Sequence, residues 1–308
     1  MRILYDKGQI NGLKGCTMSD FLRDAAAFIR EKNYNIYSIA EICDGGEAES
    51  ICINPANAAQ NSYSVAKVFT VTAIGLLCDR GLISTDALVC DILSRDILER
   101  TRERMDGRWE SVTVDMAMRH ALGLPRGFLD IDCTDPRAFG EDYLAYMLEY
   151  PLVSDHGGER SYTDGAYYLL ARVCERIAGE PLDKFLWREL FSRLGFREVA
   201  WSKCPCGHCM GATGLYITTE DMVKLGEVYR SGGLYRGERI LSEEWVRTVF
   251  SRGYELRMSG FAEGYCKSGM LGQMLAIFPK QNRVVAWHGH GFREQNELMY
   301  FISRYDNS

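Results

Sequence analysis

Ser64-Val65-Ala66-Lys67 sets a hydroxyl and an amine three residues apart. On a helix that spacing puts both on one face, close enough to touch. A lysine beside a serine in a closed, apolar place is a way to make a nucleophile without histidine. The ordinary meaning of a random Ser-x-x-Lys is an N-cap serine and a solvated lysine. Here the motif occurs once, and the helix it opens, through Val71, Ala73, Ile74, Leu76, Leu77 and Cys78 to Gly81, is apolar nearly all round and belongs in a core. A lysine entering a core needs a reason. Acyl transfer from such a pair also needs a group that passes the proton to the leaving atom, donors for the oxyanion, and something to fix the substrate. Ser161-Tyr162-Thr163-Asp164 offers a phenol and a carboxylate on a loop at a helix start. Cys266-Lys267-Ser268-Gly269-Met270 offers an ammonium, a hydroxyl and a glycine where the late strands begin. Taken singly, either stretch reads as an ordinary cap or a solvated turn.

The elements that must hold these residues follow from periodicity. A first helix is expected over about Ser19–Lys32, then two strands, Ile36–Ile42 and Glu49–Ile53, joined at Asp44-Gly45-Gly46. After the Ser64 helix the pattern is helices and loops: Asp91–Arg104, Val114–Ala121, Pro136–Glu149, Gly165–Ala178 and Asp183–Leu194, then Thr219–Ser231 and Ser242–Phe250. Strands return at Met274–Phe278 and Arg283–Trp287, and a helix over about Glu294–Ser303 closes the chain. The two ends therefore complete one mixed sheet, and the helical block is an insertion. The expected division is a discontinuous sheet part, 1–60 with 210–308, and a helical part, 61–209, with the site in the cleft between them. At 308 residues, two packed parts suit the length better than one simple core.

A net charge of −6 leaves no basic excess to neutralise phosphates, which argues against a nucleic-acid partner. No membrane span is visible, and Met1–Gly8 lacks the apolar core of a signal peptide, so a cytoplasmic location is expected. The eleven cysteines are scattered, odd in number and often inside apolar runs, which fits reduced thiols. Cys204, Cys206, His208 and Cys209 are the one metal-like cluster. Ligands so close usually need a second pair elsewhere, and none is obvious, so the preferred reading is a loop with no metal, a redox-sensitive thiol being a side reading. His288-Gly289-His290-Gly291 reads as a strand end and turn.

Ser64-x-x-Lys67, Tyr162-Thr163-Asp164 and Lys267-Ser268-Gly269, in this order, resemble the three boxes of class C β-lactamases and the related penicillin-binding proteins, esterases and D,D-peptidases: Ser-x-x-Lys, Tyr-x-Asn and Lys-Thr-Gly. The flanks are similar too. Thr113–Pro125 matches a segment ending His-Thr-Ser-Gly-Leu-Pro, Gly211–Met222 matches Gly-Gly-Leu-x-Ser-Thr-x-x-Asp-Leu, and Ile240–Val246 matches Leu-Ser-x-Glu-Trp. The resemblance covers about residues 35–305. It implies an α/β (α+β) β-lactamase/transpeptidase-like fold, an antiparallel sheet flanked by terminal helices with a large all-helical insertion, and a serine hydrolase without a cofactor. Ser64 attacks a carbonyl, Lys67 holds or accepts its proton, and Tyr162, flanked by Lys67 and Lys267, carries that proton to the leaving group. The N–H groups of Ser64 and of Met270 on the strand form the oxyanion hole, while Lys267 and Ser268, followed by Gly269, fix the substrate. Two departures stand out. Asp164 replaces an asparagine and, as a carboxylate, can only accept hydrogen bonds, so it suits a Lys67 ammonium and repels a substrate carbonyl. His120-Ala121-Leu122-Gly123 lacks the usual hydroxyls and is read as structural. Tyr305-Asp306-Asn307, a literal Tyr-x-Asn, is set aside because it follows the final helix. The expected partner is a small ester, amide or lactam, with a small ester or amide first and a β-lactamase or D-Ala-D-Ala carboxypeptidase as runner-up. A binding or sensor protein on the same fold is the alternative of another class, and four intact polar residues at the site speak against it.

Overall fold

The computed structural model describes residues 19–260, 263–293 and 295–305. Met1–Gly8, Glu294 and the Asp306-Asn307 end of the discarded Tyr-x-Asn lie outside that range. Helix α1 (Asp20–Glu31) starts at Ser19, whose hydroxyl accepts the Leu22 N–H at 3.1 Å, and buries Phe21, Leu22, Ala25, Ala26 and Ile29. Strands β1 (Ile36–Cys43) and β2 (Glu49–Cys52) follow, and the turn between them takes Asp44 and Gly45 into positive φ, as a tight hairpin requires. A two-residue strand β3 (Gln60–Asn61) and a 3₁₀ turn (Tyr63–Val65) lead into α2 (Ala66–Asp79).

The helical block comprises α3 (Val89–Ile92), α4 (Arg95–Thr101), α5 (Val114–Met118), α6 (Tyr143–Glu149), α7 (Asp164–Ala178) and α8 (Leu182–Leu186), which runs into a π turn (Trp187–Phe191). Two expected helices are broken. Leu93 and Ser94 are extended between α3 and α4. Gly140, at φ +68°, separates a 3₁₀ turn (Pro136–Phe139) from α6, which Asp142 caps through the Ala145 N–H at 3.1 Å. Strand β4 (Ala200–Trp201) ends the block. It pairs with β5 (Leu215–Ile217), which also pairs with β3.

Helix α9 (Thr219–Arg230), the hairpin β6 (Leu234–Tyr235) and β7 (Glu238–Arg239), and α10 (Glu243–Arg252) precede the closing strands. These are β8 (Arg257–Met258), β9 (Tyr265–Ser268), β10 (Met274–Phe278) and β11 (Arg283–Gly289), and α11 (Gln295–Ser303) follows. The main sheet is antiparallel in the order β2-β1-β11-β10-β9-β8. The two ends of the chain meet in it, with Ile39 opposite Trp287. Alternation along β10 assigns its two faces: Met274, Ala276 and Phe278 pack with α1 and α11, whereas Leu275 and Ile277 join the core that runs through α9 and α2 into the helical block. Among the described residues no helix is long and apolar enough to cross a membrane.

Candidate active site

Ser64 lies inside the 3₁₀ turn, two residues before α2, and does not cap it. The turn is tied on both sides. Ser62 N–H donates to Leu215 O on β5 at 2.8 Å, and Asn61 Oδ1 accepts the Tyr63 N–H at 2.9 Å. Tyr63 takes φ +46°, a strained setting for a side-chain-bearing residue. The Ser64 N–H has no partner among the described residues, as the first N–H groups of a helix do not.

Lys67 is fully buried. Its three ammonium protons are all placed: on Ser64 Oγ at 3.0 Å, Asp164 Oδ1 at 2.7 Å and Ala212 O at 3.0 Å. Burial alone would push this lysine toward its neutral form, but Asp164, then Tyr162 and Glu255, outweigh it and raise its pKa. Lys67 is therefore an ammonium that holds Ser64 and has no lone pair with which to take its proton. Asp164 starts α7, where a carboxylate also meets the positive end of the helix.

Tyr162 OH contacts Ser64 Oγ at 2.8 Å and receives Lys267 Nζ at 3.1 Å. Both lysine nitrogens lie 4.8 Å from its ring centroid, and the Arg160 guanidinium lies 5.0 Å from it. The ring rests on His120, centroid to centroid 4.4 Å. Lys267, on β9, also pairs with Glu255. The next residue, Ser268, is exposed. A Cβ at Gly269 would stand 2.8 Å from Ser62 O and 2.6 Å from Gln273 Oε1, so only glycine lets this backbone lie against the Ser64 turn.

Three outcomes differ from the sequence reading. Met270 is not on the strand; β9 stops at Ser268, and Met270 sits in the turn closed by Gly269 N–H to Gln273 O at 2.8 Å. Its own N–H is nevertheless without a partner among the described residues, like that of Ser64. His120 is more than scaffold. Its Nδ1 lies 3.2 Å from the Thr163 nitrogen and 3.1 Å from Thr163 O, and its Nε2 donates to Glu255 Oε1 at 2.6 Å. Burial lowers its pKa against the pull of Glu255. Glu255 was missed altogether. Burial would raise its pKa, but Lys267, then His120 and Lys67, hold it well below the ordinary range. No local pattern marks this glutamate, because its partners come from elsewhere in the chain. Cys204, Cys206, His208 and Cys209 bring no three ligand atoms together among the described residues. Tyr168 O–H donates to Cys204 Sγ, Glu175 accepts from His208 at 2.7 Å, and burial pushes the Cys209 thiol up to about 12, away from ready oxidation. His288 lies in β11, its Nε2 donating to Ile217 O at 3.1 Å.

Asp130, Asp132 and Asp164 do bring carboxylate oxygens within 4.8 Å of one another. Each already has donors: two backbone N–H groups on Asp130, Thr213 Oγ1 on Asp132 at 2.5 Å, and Lys67 on Asp164. A cation there would compete with Lys67.

Residues 55–299 match the family model described as Beta-lactamase. A 6-aminohexanoate-dimer hydrolase from Paenarthrobacter ureafaciens is 25% identical over 78% of this chain and 70% of its own length. Among solved structures, a putative 6-aminohexanoate-dimer hydrolase from Bacillus anthracis superposes with TM-score 0.71 at 16% identity, over 90% of this chain and 79% of that one. A penicillin-binding protein homologue from Caulobacter crescentus gives 0.70 at 15% identity, over 93% of this chain and 97% of that one. At such identities the solved structures establish the fold alone.

Proposed function

The chain belongs to the Beta-lactamase family of serine hydrolases, and on that premise we propose that it hydrolyses a small ester or amide through an acyl-enzyme on Ser64. The observation that carries the reading is the convergence on one oxygen: Ser64 Oγ meets Lys67 Nζ at 3.0 Å and Tyr162 OH at 2.8 Å, with Lys267 Nζ 3.1 Å behind the phenol. Lys67 and Lys267 are paired ammoniums, so the Tyr162 oxygen is the acceptor for the Ser64 proton. The Tyr162 oxygen, 2.8 Å from Ser64 Oγ and backed by Lys267, is placed to relay that proton. Ser64 Oγ bonds to the carbonyl carbon, the oxygen charge develops against the N–H groups of Ser64 and Met270, which have no partner among the described residues, and the proton moves to Tyr162. Tyr162 then protonates the leaving oxygen or nitrogen as its bond to carbon breaks. A water molecule repeats the sequence on the acyl-enzyme, giving its proton to Tyr162 and releasing Ser64. Ser268 and Gly269 would line the substrate's path on the β9 side. The site so read lies between the sheet part, 1–60 with 210–308, and the helical part, 61–209.

The preference for a small ester or amide rests on Asp164, whose carboxylate stands where a carbonyl-binding amide would suit a lactam or peptide. The relative named for hydrolysis of an aminohexanoate dimer, a linear amide, points the same way. Short-chain nitrophenyl esters, a chromogenic cephalosporin and a D-Ala-D-Ala peptide, assayed side by side, test the ranking. Ester turnover well above the other two is expected. Rapid cephalosporin turnover without esterase activity would put the β-lactamase reading first.

A further inference from the structure

Both ammonium groups beside Ser64 are neutralised from behind. Lys67 pairs with Asp164 at 2.7 Å. Lys267 pairs with one oxygen of Glu255, whose side chain is 2% exposed and whose other oxygen takes His120 Nε2. Two ammoniums against two carboxylates leave the inner site without net charge. At the rim, the exposed Arg160 lies 5.0 Å from the Tyr162 ring centroid, outside these two pairs. The backbone is bent to build the Glu255 pair: Glu255 takes φ +63° and His120 φ +59°. Left-handed backbone at such residues is strained and persists only where the surroundings over-determine it. With Tyr63 and Leu129, four of the eight non-glycine residues of positive φ among the described residues gather around this site.

We propose that Glu255, held by His120, is a specificity-determining residue: it cancels the charge of Lys267, so that the site selects neutral acyl compounds over those with a carboxylate beside the scissile bond. β-Lactams and peptide C-termini carry such a carboxylate; simple esters and amides do not. The inference rests on the Ser64 acyl-transfer reading and adds to it the charge of the substrate.

The test uses two esters that differ only in the leaving group, 3-(butyryloxy)benzoate and its methyl ester, on the wild-type protein and Glu255→Gln. The wild type should favour the methyl ester in kcat/KM. Glu255→Gln should move the ratio toward the carboxylate by about tenfold or more, because one unpaired ammonium then faces the substrate. Because the ratio compares two substrates on one protein, a general loss of packing or activity cancels. An unchanged ratio in folded Glu255→Gln, or a wild type that favours the carboxylate, overturns the proposal; the second result decides even if the variant does not fold. Binding of the product 3-hydroxybenzoate, followed by calorimetry, is the arm that needs no turnover. If neither ester is turned over, the acyl-transfer reading fails by itself. In that case tighter binding of 3-hydroxybenzoate by Glu255→Gln still supports the charge cancellation, and equal binding refutes it.

Discussion

Asp164 is the residue on which this site turns. The sequence reading expected it to bind a Lys67 ammonium, and the 2.7 Å contact with a fully buried lysine is that pair. What residue identity could not reveal was the set of partners: Lys67 donates to three acceptors and its pKa is raised, so in the proposed route it holds Ser64 and leaves the proton to Tyr162. Asp164→Asn removes the leading cause that raises the Lys67 pKa and leaves burial, which lowers it. The amine should then lose its proton at lower pH and become a base. We expect the amide-to-ester ratio to rise and kcat/KM to gain an ascending limb as the amine loses its proton. A pH–rate profile and a substrate ratio that superimpose on the wild type would contradict this. Ser64, Lys67, Tyr162 and Lys267 were legible because each sits in a short pattern. Glu255 was not, because its role comes from Lys267 and His120, which lie far from it in the chain and meet it only in the fold.

At the scale of elements, long periodic segments were legible and short or broken ones were not. Helices α1, α7, α9 and α10 begin at residues with side-chain caps, Ser19, Thr163, Thr218 and Ser242, so their starts could be read. Strand β9, four residues with a lysine facing in and a serine out, carries too little alternation to announce itself, and its early end moved Met270 into a turn. The sheet in turn depends on close approach by α9. A Cβ at Gly226 would lie 2.4 Å from Val284 Cγ1 and 2.8 Å from Leu275 Cδ1. Gly226→Ala should therefore destabilise the fold by about 1–3 kcal/mol despite alanine's better helix propensity. Urea unfolding measures this directly, and a stabilised variant would show that helix and sheet separate more easily than their packing indicates.

At the scale of the molecule, the two ends of the chain make the sheet, and the helical block delivers Ser64, Lys67, Tyr162 and Asp164 to it. Ala212, Glu255, Lys267, Ser268, Gly269 and Met270 come from the closing third, so the proposed site exists only when distant segments meet. The antiparallel sheet with terminal helices was legible because strand patterns occur at both ends and helical patterns between them. The arrangement of charge was not, since pairing Lys67 with Asp164 and Lys267 with Glu255 is a property of the assembled fold. The central claim is that this assembly makes Ser64 a nucleophile, and labelling by a fluorophosphonate tests it most directly. The wild-type protein should gain one adduct, mapped by mass spectrometry to the peptide containing Ser64, and Ser64→Ala should gain none. A wild type that stays unlabelled while a control serine hydrolase reacts, or equal labelling of Ser64→Ala, would contradict the account.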